Sequence, residues 1–582
     1  MRRLLLFMSI LSIPLSAQAR EPVKAPAIAQ EYMVASADPR ATAAGLAMLA
    51  KGGSAVDAAI AVQAVLGLVE PQSSGIGGGG FLMHYDPGSG ELIAYDGRET
   101  APRGLDPSLF LDDRGQPLGF FEAALGGAAV GTPGVIAMLE MAHKEQGRLP
   151  WADLFAPAIA LAEDGFEITE RLHDSAARAA GWFERTGADL ADVGAFADYL
   201  FTDDGAAKPV GTVLRNPAYA LTLRAVASGG AAAFYTGPIA EAMVAAVQTA
   251  DLRPGALSLT DLAEYQPVKR DPVCGSYRAV RLCSMGPPSS GATTMLAILG
   301  ILEGFDLAEA GVQTPASVHL FAEASRLAYA DRGRFVADPA FVPVPTKGLI
   351  DPQYLSLRRQ QIDPDQAMDS VAPGPVPRET AAQWADHDGI DYPATSHMTI
   401  VDAMGRVVSF TTTVQIGFGS YVMAEGFLLN NQLTDFSFRL RDEDGTTIAN
   451  RPEPLKRPRS SMTPTIAFDA NGDFAFAIGS PGGGNILSYV AKAVIGLIDW
   501  DLTVQQAIAL PNMVDRGATV WLEEDTPLAE LAEPLQAMGH EVSLRGMRSG
   551  LHGIVAVRDG EGRLLHYEGG ADPRREGVAA GK

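Results

Sequence analysis

The run of small residues at 480–485, Ser-Pro-Gly-Gly-Gly-Asn, could hold a negatively charged oxygen. An apolar stretch at 486–500 follows it directly and predicts a helix. Backbone N–H groups at the start of a helix point outward with the helix dipole behind them, which suits them to bind an oxyanion. Taken alone, such a run is more often a plain loop, so both interpretations stay open.

A second glycine run, residues 75–80 (Gly-Ile-Gly-Gly-Gly-Gly), matches the spacing of a dinucleotide-binding fingerprint. That fingerprint needs a strand before it and a helix after it, so that the pyrophosphate meets a helix N-terminus. Here the pattern predicts a helix at 54–70 and a strand at 81–85, which is the opposite order. We therefore interpret the run as a tight turn in which backbone approaches backbone and which lines a pocket.

Several common catalytic motifs are missing from the sequence. It contains no H-E-x-x-H zinc motif, no G-x-S-x-G nucleophile elbow and no P-loop, and its nine histidines are scattered singly. Arg98, in the stretch Tyr-Asp-Gly-Arg-Glu at 95–99, could bind a carboxylate. A lone arginine is more often a surface residue or the partner of a nearby acid such as Glu99.

Hydrophobic periodicity predicts the elements that would position these residues. A strand at 33–36 and helices at 39–49 and 54–70 open the chain, helices dominate 105–345, and 340–390 is irregular. Beyond residue 394 the pattern is β, and stretches at 395–401 and 406–413 predict a hairpin with its turn at 402–405. Further strands are predicted at 426–430, 463–468, 473–478, 541–545, 552–558 and 563–567.

The first residues have the pattern of a secretory signal peptide. Arg2 and Arg3 precede a short apolar run, and Ala-Gln-Ala at 17–19 is a small-x-small cleavage site. The run is too short to span a bilayer, although an uncleaved N-terminal anchor is the alternative. We therefore predict removal of residues 1–19 and a soluble protein that is periplasmic or secreted.

Composition narrows the choice of partners. The net charge of −24 disfavours binding to nucleic acid or to anionic lipid. A length of 582 residues would suit three or four domains, but no linker divides the chain, so we treat it as one body. Export permits a disulfide between Cys274 and Cys283, and two free buried thiols explain these cysteines equally well.

Taken together, the motifs resemble the γ-glutamyltransferase family, which belongs to the N-terminal-nucleophile hydrolase class. The similarity runs from about residue 32 to about 570, and it is specific because many short motifs occur together in the family's order. The matching stretches are 52–59, 71–72 with the first glycine run, 96–99, 287–291, 329–332, 395–397, 430–436, 456–462 and 479–483. The resemblance implies an α+β fold, a four-layer αββα sandwich of two mostly antiparallel sheets between helices.

The family's Thr-x-His pattern falls on residues 395–397, which implies self-cleavage between Ala394 and Thr395. The large subunit would be 20–394 and the small, catalytic subunit 395–582. The hydroxyl of Thr395 is the implied nucleophile. Its new α-amine, with a pKa of about 7.7–8 in model compounds, would be the base.

Three further residues complete the implied catalytic group. The N–H groups of Gly482 and Gly483 would form the oxyanion hole, and Thr413 would hydrogen-bond the nucleophile. The hairpin gives some independent geometry, because a turn at 402–405 places Thr395 opposite Thr412, or opposite Thr413 with a one-residue bulge. The resemblance implies neither a metal nor an organic cofactor.

A γ-glutamyl donor has an α-carboxylate and an α-ammonium, and the resemblance assigns partners to both. The carboxylate would bind Arg98 and the ammonium would bind Asp435. Supporting hydrogen bonds are expected from Ser460, Ser461, Gln415 and Gln432. The implied reaction cleaves γ-glutamyl amides such as glutathione through a γ-glutamyl–Thr395 ester, which then reacts with water or with an amino acid or peptide amine.

The sequence departs from the family's pattern at two places. Position 415 is Gln where relatives carry Asn or Glu, which displaces the ammonium contact. The segment 437–455 lacks the Tyr that bacterial members with an active-site lid carry, so we predict that hydrolysis dominates transfer.

Two other functions stay open at this point. One is a related acylase that acts on glutaryl β-lactams or on poly-γ-glutamate, although glutaryl groups have no ammonium for Asp435 to bind. The other is an uncleaved binding protein on the same fold, which would have no use for a cleavable threonine.

Overall fold

A computed structural model describes residues 24–377, 383–387 and 394–582 of the chain. The predicted signal peptide at 1–19 lies outside these residues. Within the described ranges, no helix is both long and apolar enough to cross a membrane.

Two seven-stranded sheets form the centre of the molecule. The strands of the described residues are, in chain order, β1 (Ala27–Ala29), β2 (Met33–Ser36), β3 (Gly79–Asp86), β4 (Glu91–Asp96), β5 (Phe166–Glu167), β6 (Val213–Leu214), β7 (Val268–Arg270), β8 (Val273–Tyr277), β9 (Val280–Ser284), β10 (Ser396–Val401), β11 (Val407–Thr413), β12 (Met423–Ala424), β13 (Phe427–Leu428), β14 (Thr465–Phe468), β15 (Phe474–Gly479), β16 (Met513–Asp515), β17 (Thr519–Glu523), β18 (Glu541–Arg545), β19 (His552–Arg558), β20 (Leu564–Ala571) and β21 (Val578–Gly581). The first sheet has the order β1-β20-β19-β15-β14-β9-β8, and the second has the order β21-β2-β10-β11-β3-β4-β7. Every neighbouring pair in both sheets is antiparallel.

Helices cover the outer face of each sheet. Those packed outside the second sheet include Pro39–Ala50, Ala55–Val69, Val135–Gln146, Ala156–Asp164, Pro217–Gly229 and Pro238–Gln248. Those outside the first sheet include Gly291–Leu302, Pro315–Phe335, Pro352–Arg359, Ile486–Ile498 and Val504–Ala509. The remaining α-helices are Phe120–Ala124, Glu170–Thr186, Gly194–Leu200, Ala232–Tyr235, Leu259–Ala263, Leu307–Ala310, Thr346–Leu349 and Ala532–Ala537. Short 3₁₀ helices lie at Gly127–Ala129, Trp151–Phe155, Leu190–Val193, Gln432–Asp435, Gly483–Asn485 and Pro527–Leu531.

Side-chain alternation along β3 shows how the layers are packed. Phe81 and Met83 are buried in the core that contains the first sheet, whereas Leu82 between them is buried in the core of the helices outside the second sheet. Successive residues of a strand face opposite sides, so the second sheet lies between the first sheet and a helical layer. The predicted four-layer αββα arrangement is confirmed.

Both sheets combine strands from either side of residue 394. In the first sheet β1, β8 and β9 come before it, and β14, β15, β19 and β20 come after it. In the second sheet β2, β3, β4 and β7 come before it, and β10, β11 and β21 come after it. Neither part of the chain therefore contains either seven-stranded sheet in full.

The hairpin of β10 and β11 differs from the predicted register. Val401 pairs with Val407, not with Arg406. The Asp402 carboxylate accepts hydrogen bonds from the backbone N–H of Met404 and Arg406 and from Nε of Arg406, so the loop closes over five residues. Ser396 then pairs with Thr412, and the next position brings Thr395 beside Thr413. The alternative with Thr395 opposite Thr412 is wrong.

The two cysteines lie opposite each other on β8 and β9, at one edge of the first sheet. Cys274 and Cys283 are a cross-strand pair and form a disulfide. The alternative of two free thiols is wrong.

Candidate active site

Thr395 lies immediately before β10, which is a central strand of the second sheet. Its side chain is buried, and its Oγ1 donates a hydrogen bond to Thr413 Oγ1 at 3.1 Å. Thr413 Oγ1 also accepts the backbone N–H of Gln415 at 2.8 Å. The rigid ends of two paired strands thus hold the two threonine hydroxyls together.

The backbone of Thr395 has an uncommon conformation. Its φ is +93°, which costs a β-branched residue about 1–3 kcal/mol. Hydrogen bonds fix the residue on both sides, because its N–H donates to Ser73 O at 3.2 Å and its carbonyl accepts from Arg575 Nη1 at 2.9 Å. This unfavourable rotation is about the N–Cα bond of Thr395, which adjoins the Ala394–Thr395 peptide.

The glycine run before the helix Ile486–Ile498 faces this peptide. The N–H of Gly482 donates to the carbonyl oxygen of Ala394 at 3.2 Å. Gly482 has φ +142°, and a Cβ there would lie 2.7 Å from Tyr489 Cε2. Both the backbone conformation and the lack of space therefore disfavour a side chain at this position. The interpretation of the run as an N–H donor to an oxygen fits this geometry better than a plain loop.

The predicted site residues line one pocket. Its lining consists of Arg98, Thr395, Thr413, Gln415, Gln432, Asp435, Ser460, Ser461, Met462, Gly483 and Ile486. The two remaining predicted residues, Ala394 and Gly482, adjoin it through the hydrogen bond between them. Met462 and Ile486 were not expected from the sequence.

Arg98 is held rigidly at one end of the pocket. Its Nε donates to Pro458 O at 3.1 Å, and its Nη2 donates to Arg459 O at 2.8 Å and to Asp435 Oδ2 at 2.5 Å. Its Nη1 has no hydrogen-bond partner among the described residues. The guanidinium is therefore fixed in place with donor capacity still unused.

Asp435 is the meeting point of the polar side chains. Gln415 Nε2 donates to its Oδ1 at 2.9 Å, and Gln432 Nε2 donates to its Oδ2 at 2.8 Å. In the part of the chain that the structure describes, both glutamine Oε1 atoms are buried without a donor. A cation bound at Asp435 would find these two further acceptors beside the carboxylate.

The two serines have spare donors. Ser460 Oγ accepts the N–H of Met462 at 3.2 Å, and Ser461 Oγ accepts Arg332 Nη2 at 2.7 Å. Each hydroxyl uses its oxygen as an acceptor, which leaves its hydrogen to be donated. Such hydroxyls suit a ligand with acceptor oxygens, such as a carboxylate.

Glu99 lies behind Arg98, with its side chain fully buried and its nearest oxygen 3.6 Å from Arg98 Nη1. Burial raises the pKa of Glu99 to about 8, although Arg98 opposes this. Folded Glu99 is thus protonated at neutral pH, whereas the unfolded chain ionises near the ordinary value of 4.5. Between about pH 4.5 and 8 the folded state binds more protons, so this group lowers the free energy of unfolding as pH rises.

Glu99→Gln should remove this dependence, because glutamine is close in shape to the protonated acid and does not ionise. The stability of the variant relative to the parent should increase by up to about 1.4 kcal/mol per pH unit across that window. Urea denaturation at pH 5.0 and 7.5, performed on single uncut chains, measures it. The same stability difference between variant and parent at both pH values would contradict a raised pKa of Glu99.

Several contacts around Thr395 come from residues that no motif indicated. Glu70, directly after the helix Ala55–Val69, accepts Ser396 Oγ at 2.5 Å and Arg171 Nε at 2.9 Å. Arg575 reaches Thr395 O from close to the C-terminus. Single charged residues form no local pattern, so their meeting here could not be predicted from the sequence.

The histidine of the Thr-x-His pattern has a packing role. His397 is fully buried between Thr411, which its Nδ1 contacts at 2.8 Å, and Thr399. Burial lowers its pKa well below the ordinary value, so the ring is neutral. A Cβ on Gly479 would lie 2.3 Å from this ring, which explains the glycine there.

The first glycine run supports the site without lining its pocket. A Cβ on Gly77 would lie 2.1 Å from Leu428 O, and one on Gly78 would lie 2.0 Å from Thr413 O. The prediction of close backbone approach is confirmed, and the prediction that the run lines a pocket is wrong for both pockets that adjoin Thr395 and Ala394. No group of three or more His, Cys, Asp or Glu in the described ranges could hold a metal ion.

Comparison with known proteins shows which family has this arrangement. The sequence model of the gamma-glutamyltranspeptidase family matches residues 41–582. The chain belongs to this family. Membership confirms the expectation from the motifs: the chain is an enzyme of the γ-glutamyl hydrolase and transferase type.

Relatives of this γ-glutamyltranspeptidase family member carry two kinds of name. A glutathione hydrolase proenzyme of Bacillus subtilis (strain 168) is 34% identical over 98% of this chain and 96% of its own length. An acylase ACY 1 proenzyme of Pseudomonas sp. (strain SE83) is also 34% identical, over 92% of both chains. The crystal structure of a cephalosporin acylase from Bacillus halodurans matches with a TM-score of 0.83 and 27% identity over 99% of each chain.

Proposed function

We propose that the chain is a self-processing γ-glutamyl hydrolase with Thr395 as its nucleophile and glutathione-like amides as its donors. The observation that carries this proposal is the contact between Arg98 and Asp435 in the pocket that Thr395 lines. Opposite charges side by side match an amino acid's α-carboxylate and α-ammonium. An acyl group with only one of these charges has no use for both.

Processing begins with attack of Thr395 Oγ1 on the Ala394 carbonyl carbon. The oxygen forms a five-membered ring with the peptide, the C–N bond breaks, and an ester joins Ala394 to the hydroxyl. The nitrogen leaves as the free α-amine of Thr395 and takes up the proton that the hydroxyl loses. Water then hydrolyses the ester, which yields a carboxylate on Ala394 and restores the Thr395 hydroxyl. The hydrogen bond from Gly482 N–H to the Ala394 carbonyl supports this route, because the oxygen already has a donor where its negative charge develops.

Donor cleavage repeats the same chemistry on an external amide. The Thr395 amine takes the proton of its own hydroxyl, and Oγ1 attacks the γ-carbonyl carbon. The N–H groups of Gly482 and Gly483 stabilise the oxyanion, and the departing nitrogen takes a proton as the C–N bond breaks. The resulting γ-glutamyl ester reacts with water and releases glutamate.

The donor's charges replace the contact between Arg98 and Asp435. The carboxylate binds the guanidinium and the hydroxyls of Ser460 and Ser461, and the ammonium binds the Asp435 carboxylate. The unpaired Oε1 atoms of Gln415 and Gln432 support the ammonium position, because they offer acceptors that the empty pocket does not use.

Purified protein incubated with glutathione tests the proposal. Mass spectrometry should detect glutamate and cysteinylglycine in equal amounts, and glutaryl amides should react more slowly. Rapid release of glutarate with no action on glutathione would favour the second candidate, an acylase, which the similarity to the ACY 1 proenzyme supports.

Export and a two-chain mature form belong to the same proposal. The signal-peptide pattern at 1–19 supports a periplasmic or secreted location, and the disulfide on β8 and β9 fits an oxidising compartment. Cleavage after Ala394 gives subunits of 20–394 and 395–582. The relatives named as proenzymes support such processing.

Hydrolysis should exceed transfer to an amine acceptor. None of residues 437–455 lines the pocket at Thr395, and this Tyr-free segment is polar and charged. A site without a lid exposes the ester to water at about 55 M, so a millimolar acceptor needs a preference on the order of 10,000-fold to compete.

Product partitioning with γ-glutamyl-4-nitroanilide and excess glycylglycine measures this preference. Free glutamate should be the main product. If γ-glutamyl-glycylglycine were the main product at modest acceptor concentration, that result would contradict the absence of a lid. A hydrolysis-only reaction without acceptor gives the reference for both rates.

A further inference from the structure

A second pocket lies on the other side of the Ala394–Thr395 bond. Thr395 lines the pocket that contains Arg98 and Asp435, called the donor pocket below. Ala394 lines the second pocket, which has a volume of about 290 Å³. Its lining residues are Gln72, Ser73, Arg171, Ser175, Arg178, Trp182, Ala394, Ile416, Gly417, Gly546, Arg548 and Arg575. Four of the twelve are arginines, in a chain whose acidic residues outnumber its basic ones by 69 to 45.

Two of these arginines share one carboxylate, and the other two contact none in the described part of the chain. Arg171 and Arg575 both contact the Glu70 carboxylate, at 2.9 and 3.5 Å. Arg178 donates to Ser175 Oγ at 2.9 Å, and neither it nor Arg548 has a carboxylate within 4.0 Å among the described residues. The pocket therefore has more positive charge than its own acids balance.

The positive charges repel one another. Burial, the charge of Arg548 and the charge of Arg171 lower the pKa of Arg178, and Asp174 opposes them. Burial and Arg171 likewise lower the pKa of Arg575 to about 9, in spite of Glu70 and Asp572. Scattered surface arginines are normally solvated and apart, whereas here like charges converge on one cavity with the Trp182 ring in its wall. An anion would remove this repulsion.

The orientation of the scissile amide indicates which part of the substrate would reach this pocket. In the proposed function, the γ-glutamyl chain extends from Thr395 toward Asp435, and its carbonyl oxygen lies at Gly482. The nitrogen of the scissile amide is then on the opposite side of the carbonyl carbon. From there the rest of the amine extends toward the pocket that Ala394 lines.

We propose that this arginine pocket is the subsite for the amine part of the substrate and that it selects amines bearing a carboxylate. The inference rests on the proposed function and adds the residues that bind the leaving group. Arg178 and Arg548 bind the carboxylate with forked hydrogen bonds, and the Trp182 ring packs against the carbons that join it to the amine. Peptides with a free C-terminus fit this description, and so does an amine acceptor of the same kind.

Two chromogenic donors that differ in one carboxylate test the inference. They are γ-glutamyl-4-nitroanilide, with a neutral leaving group, and γ-glutamyl-3-carboxy-4-nitroanilide, with an anionic one. The quantity measured is the ratio of kcat/KM for the carboxylated donor to kcat/KM for the neutral donor. Because both donors share the γ-glutamyl group, changes at Thr395, Arg98 or Asp435 cancel in the ratio.

The double variant Arg178→Gln/Arg548→Gln should lower this ratio about tenfold, as expected for the loss of two partly solvated ion pairs. Arg178→Glu should lower it further, because it places a negative charge beside the carboxylate. Higher salt should reduce the wild-type ratio and affect the double variant less. Both arginines are exposed, so the fold does not depend on them, and the neutral anilide reports an intact site.

Arg185→Gln is the matched control. It removes the same charge from the same helix, Glu170–Thr186, at an exposed residue outside the pocket, and it should leave the ratio at the wild-type value. An unchanged ratio in the double variant would overturn the inference while leaving the γ-glutamyl assignment intact. Failure of the wild-type protein to cleave either anilide would contradict the proposed function itself.

Discussion

Thr395→Ala should remain a single chain and have no γ-glutamyl hydrolase activity. Alanine lacks the oxygen that attacks the Ala394 carbonyl, so neither the processing ester nor the substrate ester can form. Loss of a nucleophile costs on the order of 10,000- to 1,000,000-fold in kcat, which takes the rate below detection. Gel electrophoresis should show two fragments for the wild type, and the smaller should begin Thr-Ser-His-Met.

Thr395→Ser is the matched variant, because it keeps the hydroxyl and should still be processed. Ser396 is the neighbouring alternative nucleophile, but its Oγ donates to Glu70 at 2.5 Å and accepts from Ser74 at 3.1 Å. A small fragment that begins at Ser396 would move the nucleophile by one residue. An intact but active Thr395→Ala protein would refute the mechanism.

Asp435→Asn should reduce kcat/KM for γ-glutamyl donors by roughly 30- to 5,000-fold, which corresponds to about 2–5 kcal/mol for loss of one partner of a charged pair. The substitution removes the counter-charge of the donor's ammonium and leaves Arg98 without its carboxylate partner. Glutaryl donors lack the ammonium and should be affected much less. The ratio of the two donor classes in wild type and variant is the measurement.

Asp444→Asn provides the control for charge. Asp444 is exposed in the segment 437–455, outside the pocket, and its replacement should leave that ratio unchanged. Equal losses for both donor classes in Asp435→Asn would indicate a structural role for Asp435 and would favour the acylase. Unchanged glutathione hydrolysis would remove Asp435 from the donor site.

The elements of this fold were predictable where the local pattern determines them. The helix Ala55–Val69 begins at the capping box of Ser54 and Asp57, in which each side chain accepts the other's backbone N–H. The alternation at 396–401 and 407–413 also gives strands directly. The register between those two strands was not predictable, because it depends on how the Asp402 side chain closes the loop.

The lining of the pocket at Thr395 was predictable because its residues lie in short, recognisable motifs such as 96–99 and 430–436. The residues behind and beside it were not. Glu70 and Arg575 are 505 positions apart and meet only in the folded chain. The arginine pocket likewise draws its lining from six separate stretches of the chain, so no local motif predicts it.

The proposed cleavage after Ala394 would turn unfolding of this protein from a one-chain into a two-chain process. Since each seven-stranded sheet contains strands of both parts, separating the two fragments would disrupt both sheets. The unfolded mature protein is then two independent chains, and refolding becomes a bimolecular reaction that slows on dilution. The working lifetime of the cleaved form would therefore be set by the rate of unfolding, not by an equilibrium. Only the uncleaved precursor folds in a unimolecular step. Once cleaved, the protein would not readily refold after unfolding.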